Sequence, residues 1–179
     1  MIRSSIILFL ALFTLSACGE LPSSSYDGNG DSGSISTFSS NGLRLRHLDS
    51  INALRVERGL QPLQLSAQLN AAADTHARDM AAQQRAWDFG SDRSSPQARA
   101  TRAGFKGVVR GENVAETFKG EFLVLQTWLN NTASRATILD AKSTHLGYGW
   151  YQETNGKLWW VQVVGQAIVV DPLVMAQSQ

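Results

Sequence analysis

An α+β fold is predicted for the 179-residue chain from three observations. Stretches between Leu43 and Asn130 repeat their apolar residues at helical spacing. The end of the chain changes character: "HLGYGWYQ" and "KLWWVQVVG" read as strands, and between them Asn155-Gly156 favours a type I′ hairpin turn. Helices come first and strands last, without the regular βαβ alternation of a parallel sheet.

Leu48, Ile51 and Leu54 predict a first helix over 43–58, stopped by Gly59. Pro62 keeps "LQPLQL" extended. Ser66 is placed to cap a second helix with Leu69, Ala72, Ala73, His76 and Met80 along one stripe. In "SSPQARATRAG", Ser95 reads as N-cap, Pro96 as the first helical position and Gly104 as terminator. "GEFLVLQTWLN" supplies a fourth helix, with Phe122, Leu125 and Leu129 on one side and Trp128 adjacent. Trp159 and Trp160 alternate across a strand, one toward the core and the other toward a helix layer.

The apolar share of 43%, with five Trp and seven Phe, suffices for a core. Sixteen basic and fifteen acidic residues nearly cancel, which leaves no electrostatic footprint for nucleic acid. Residues 1–17 read as a signal peptide: Arg3, then an apolar run from Ile6 to Leu15, shorter than the ~20 residues a membrane span needs. The segment ends in Leu15-Ser16-Ala17-Cys18, which resembles a bacterial lipobox and implies acylation at Cys18, the sole cysteine. A single cysteine excludes an intrachain disulfide. Residues 18–42 read as the acylated cysteine and a flexible Ser/Gly linker, with a reach of roughly 25–29 Å. Within it "DGNGDSG" has the wrong spacing for a calcium loop. The globular domain is expected over 43–170 and a tail over 171–179.

In "VVRGENVAETF" a carboxylate, Glu112, stands among apolar neighbours, where burial is costly unless something pairs with it. One arrangement that satisfies it is acceptance of hydrogen bonds from loop N–H groups and from a polar side chain such as Gln162, making a structural post at the floor of a cleft.

The segments "INALRVERGLQPLQLSAQLNAAADTHARDMA", "GSDRSSPQARATRAGF", "GENVAE", "WLNNTASRATIL", "LGYGW" and "WWVQVVG" occur in that order over about residues 43–168. Together they resemble the bacterial branch of the CAP superfamily, the SCP-like extracellular domain. The resemblance implies an α-β-α sandwich, with a small antiparallel sheet between helical layers. It also implies a cleft lined by histidines and acids that holds a divalent metal in some members, with Glu112 matching the glutamate of the Gly-Glu-Asn motif.

The chain departs from those relatives at two places. Many carry a histidine before the Gly-Ser-Asp stretch, where this chain has Asp88 and Phe89, and another in a Gly-His-Arg-Ala-Asn-Ile-Leu segment, where it has Ser134. Without those imidazoles the usual basis for zinc is missing, and no cofactor is expected. Asp88, Asp92 and Glu112 are left as oxygen donors for a harder cation. The cleft or binding candidates are Glu112, Asn113, Asp92, His76, His145 and Gln162. His76 reads first as a hydrogen-bonded core histidine, and His47, beside the linker, as exposed. Trp128, Trp150, Trp159 and Trp160 read as core or groove, and Arg93, Arg110 and Arg135 as cleft rim or solvated charge. Ser134 has no histidine beside it and no GxSxG elbow is present, so no catalytic residue is assigned.

The expected protein is a lipid-anchored module of the bacterial envelope, at the outer membrane in a Gram-negative cell. It binds a lipid, a glycan such as peptidoglycan, or a protein. The alternative is an extracytoplasmic hydrolase using Glu112 as general base or metal ligand.

Overall fold

The computed structural model describes residues 40–168 except Phe118. The expected signal peptide, Cys18, most of the linker, and the tail lie outside the described residues. The elements run α1 (Ser40–Glu57), β1 (Gln64–Leu65), α2 (Ala67–Gln83), α3 (Pro96–Arg102), β2 (Gly107–Thr117), α4 (Glu121–Asn130), α5 (Thr132–Ile138), β3 (His145–Gln152) and β4 (Leu158–Ala167). The strands form one sheet in the order β1-β3-β4-β2. The β2–β4 and β3–β4 pairs are antiparallel, while β1 pairs parallel to β3 through two residues, so the sheet is mixed. Helices α2 and α3 cover one face and α1, α4 and α5 the other, giving the three layers. Among the described residues no helix is long and apolar enough to cross a membrane.

Local chemistry explains most boundaries. The Ser66 hydroxyl accepts from the Leu69 amide and the Ser95 hydroxyl from the Ala98 amide, each satisfying a donor that a helix start leaves free. Asn131 closes α4 and caps α5, its Oδ1 accepting from the Ser134 amide. The β3–β4 turn differs from the expected type I′. Asn155 is not in the left-handed region; Gly156 alone is, at φ 89°. The Gly156 amide donates to the Glu153 carbonyl and the Glu153 amide to the Lys157 carbonyl. That is a three-residue loop with the glycine at its left-handed position.

The buried stripe of α1 is Leu43, His47, Ile51 and Arg55, offset from the apolar repeat that predicted it. Arg55 is fully buried because its guanidinium is spent on main-chain carbonyls of Gln61, Ile138 and Asp140 at 2.8–3.1 Å. On α4 the buried residues are Val124, Leu125 and Trp128, and Phe122 is exposed. Trp159 and Trp160 are both fully buried, one in each of the two cores that the sheet separates.

Helix α2 lies directly on β3 because β3 offers it glycines. A Cβ on Gly147 would collide with Leu69 and one on Gly149 with Ala73 and Asp74. The Asn70 side chain accepts from the Tyr148 amide, and Arg44 donates to the Tyr148 carbonyl. Gly147→Ala is therefore expected to lower unfolding stability by about 1–3 kcal/mol, as overpacking does. Urea denaturation measures it, and an unchanged midpoint would mean that α2 is not seated this closely.

Candidate functional site

Strand alternation sets the site. Glu112 pairs in register with Val163, and Asn113 with Gln162. Adjacent residues on a strand point to opposite faces, so Glu112 turns toward α2 and α3 and Asn113 toward α5. Candidates expected to line one cleft thereby lie on opposite faces of the sheet.

On the α2/α3 face the Glu112 side chain is 3% exposed. Its Oε1 accepts from Arg99 Nη2 at 2.6 Å and stands 3.7 Å from His76 Nε2. Arg99 also donates to the carbonyls of Ser94 at 2.7 Å and Asp88 at 3.0 Å. His76 Nε2–H donates to the Trp87 carbonyl at 2.8 Å, which fixes its tautomer. His76 of α2 and Arg99 of α3, the latter paired with Glu112 of β2, thus hold the segment from Trp87 to Ser94. This corrects the expected satisfaction of Glu112: its partner is a guanidinium, and Gln162 lies across the sheet. Neither spacing nor composition identified Arg99, because a pair between a helix and a strand has no local period.

On the opposite face His47 Nε2–H donates to Gln162 Oε1 at 2.9 Å, and the His47 ring stacks on Tyr148 at 3.6 Å between centroids. Asn113 Nδ2 donates to the Ser134 carbonyl at 3.0 Å. His47, expected to be exposed, is 2% exposed, because it falls on the inner stripe of α1 with Leu43 and Ile51.

The remaining candidates stand apart. Asp92 is in the surface turn before α3, where its Oδ1 accepts from the Ser94 amide and its Oδ2 pairs with Arg102 at 3.0 Å. Hydrogen bonds from Ser94 hold its carboxyl down at about 2. His145 opens β3, its Nδ1 bonded to the Thr144 hydroxyl and its ring edge-on to Phe105. Arg110 pairs with Asp140, and Arg135 donates to the Leu129 carbonyl. Among the described residues no three His, Cys, Asp or Glu side chains converge as a metal-binding group.

Burial sets the electrostatics. It pushes the Glu112 carboxyl up from 4.5 to about 7, against the pull of Arg99 and with a further push from Asp88. Burial and the Arg99 charge bring His76 down to about 4. Burial does the same to His47, against the Gln162 hydrogen bond and the Glu121 charge. Both imidazoles are therefore neutral at pH 7.

Residues 48–164 match the profile of the CAP family, the cysteine-rich secretory protein family. The chain belongs to this family. The CAP domain is 30% identical over 115 residues to the uncharacterized protein YkwD of Bacillus subtilis, which covers 64% of this chain and 44% of that protein. The chain therefore spans less than half the length of that relative. It resembles an extracellular protein containing an SCP domain from Bacillus anthracis, with a TM-score of 0.63 at 25% identity, covering 75% of this chain and 45% of the other. An outer surface protein of Borrelia burgdorferi shares the fold, with a TM-score of 0.64 at 17% identity, over 73% of this chain and 96% of that one.

The buried groups of this CAP domain give its stability a defined pH dependence. His47 and His76 have lowered folded values, so between about pH 4 and 6.5 the unfolded chain binds more protons at these sites and stability rises with pH. Glu112, with a raised folded value, acts oppositely: between about 4.5 and 7 the folded chain binds more protons and this contribution falls. Two histidines against one carboxyl leave a net rise. Unfolding free energies measured between about pH 4.5 and 6.5, where the histidines and Glu112 all contribute, should climb with pH, and the climb should be steeper in Glu112→Gln, which lacks the opposing group. Parallel curves for the two proteins would show that Glu112 titrates normally.

Proposed function

We propose that this CAP domain is a non-catalytic binding module of the bacterial envelope, acylated at Cys18. Its ligand is an envelope lipid, a glycan such as peptidoglycan, or a protein. The observation that carries the reading is the enclosure of Glu112. A general base has to reach the proton it abstracts, directly or through one water. Here the carboxylate is 3% exposed and bound to Arg99, and the neighbouring His76 N–H is committed to the Trp87 carbonyl. A buried pair of this kind fixes geometry. The lipobox-like Leu15-Ser16-Ala17-Cys18 supports the anchor, and the extracellular and outer-surface relatives support a location outside the cytoplasm.

One observation favours the hydrolase reading: a carboxyl at about 7 beside an imidazole at 3.7 Å is in the range that acid–base catalysis uses. Glu112→Gln separates the two, since it keeps the shape but cannot exchange a proton. For the binding module, wild type and variant should retain the same components from detergent-solubilised envelope, and neither should turn over glycan, ester or peptide substrates. Turnover by the wild type that disappears in Glu112→Gln would establish the hydrolase instead. Cys18→Ala should move the protein from the membrane to the soluble fraction, and an unchanged distribution would remove the anchor.

A further inference from the structure

Beneath α1, four neighbouring side chains each keep one buried polar atom without a hydrogen-bond partner among the described residues: His47 Nδ1, Tyr148 Oη, Trp160 Nε1 and Gln162 Nε2. The four residues are 0–2% exposed, so bulk solvent does not satisfy them. They belong to one cluster. Tyr148 and Gln162 are partners across β3 and β4, His47 bridges from α1 to both, and Trp160 stacks on Tyr148 at 5.5 Å. Native proteins pair the large majority of their buried polar groups, so four orphans in a single cluster point to a partner from outside the chain.

Their chemistry specifies that partner. The indole Nε1–H of Trp160 is a donor only, and the Gln162 amide nitrogen also donates. His47 Nδ1 accepts, because Nε2 carries the proton given to Gln162. The Tyr148 hydroxyl takes either role. Turning the Gln162 amide over exchanges the roles of glutamine and histidine but preserves the balance of donors and acceptors. An anion would leave the accepting atom unmatched, and a cation would face the two N–H groups. The complement is a small neutral molecule that both accepts and donates. A buried water, which commonly makes about three hydrogen bonds to otherwise unsatisfied groups, has that character.

We propose that the His47–Tyr148–Trp160–Gln162 cluster is an internal binding site for ordered water, joining α1 to the central strands on the face opposite Glu112. It does not depend on the domain's ligand or on any catalytic activity. The hydration of the site makes Tyr148 Oη a used hydrogen-bonding group, and this separates it from a dry core. Removing an unpaired buried hydroxyl relieves a desolvation penalty, whereas removing a paired one loses a bond.

The test compares the full chain with its Tyr148→Phe variant in thermal unfolding. It is paired with a crystal structure of the wild type, grown without small organic additives, at a resolution that shows internal water. The expected results are a Tm lower by about 2–5 °C in the variant, and a water within hydrogen-bond distance of at least two of the four atoms. A Tm that is unchanged or raised, or a cluster with no water density, would overturn the site.

Discussion

A strand reverses its facing at every residue, and in β2 this rule falls between Glu112 and Asn113. The two neighbours are sent to opposite sides of the sheet, where each meets a histidine: His76 from α2 on one side and, through Gln162, His47 from α1 on the other. Because β4 pairs with both β2 and β3, the same division passes across the sheet and separates Trp159, Val161 and Val163 from Trp160 and Val164. The domain thus has two cores, each with a polar cluster at the sheet.

Arginines on the two faces solve a similar problem. Arg99 gathers the Asp88 and Ser94 carbonyls with the Glu112 carboxylate, and Arg55 gathers the carbonyls of Gln61, Ile138 and Asp140. Irregular backbone inside a protein needs partners for its carbonyls, and a guanidinium with five N–H groups can serve several at once. Asp140 reaches Arg55 through its carbonyl and its side-chain charge, whereas Arg99 donates directly to the carboxylate of Glu112. Burying that pair is costly in desolvation, and the carboxyl at about 7 expresses this cost. The benefit is geometric: the segment carrying half-exposed Phe89 is held by bonds from α2 and α3.

Much of the fold was legible in the sequence. The caps at Ser66 and Ser95, the α2 stripe through His76, and the two C-terminal strands rest on local rules that the structure follows. β2 was not legible, because the irregularity between Val109 and Gly111 breaks its alternation and its glycines resemble a loop. Helix α5 was hidden by Asn131, which ends one helix and begins the next. Glu112 stood out as an acid among apolar neighbours, but its partner Arg99 did not, since nothing local ties a helix residue to a particular strand residue. His47 was misplaced for a related reason: a buried stripe that includes His47 and Arg55 does not look hydrophobic.

The most direct test of the central claim, that Glu112 is a closed structural partner of Arg99, is a double-mutant cycle in unfolding free energy. Removing one member of a buried pair strands the other charge, whereas replacing both with apolar groups does not. Arg99→Met and Glu112→Leu should each lose about 3–5 kcal/mol. The double variant should lose far less than their sum. Additive losses, or an Arg99→Met protein as stable as the wild type, would contradict the account and return Glu112 to the solvent as an available acid.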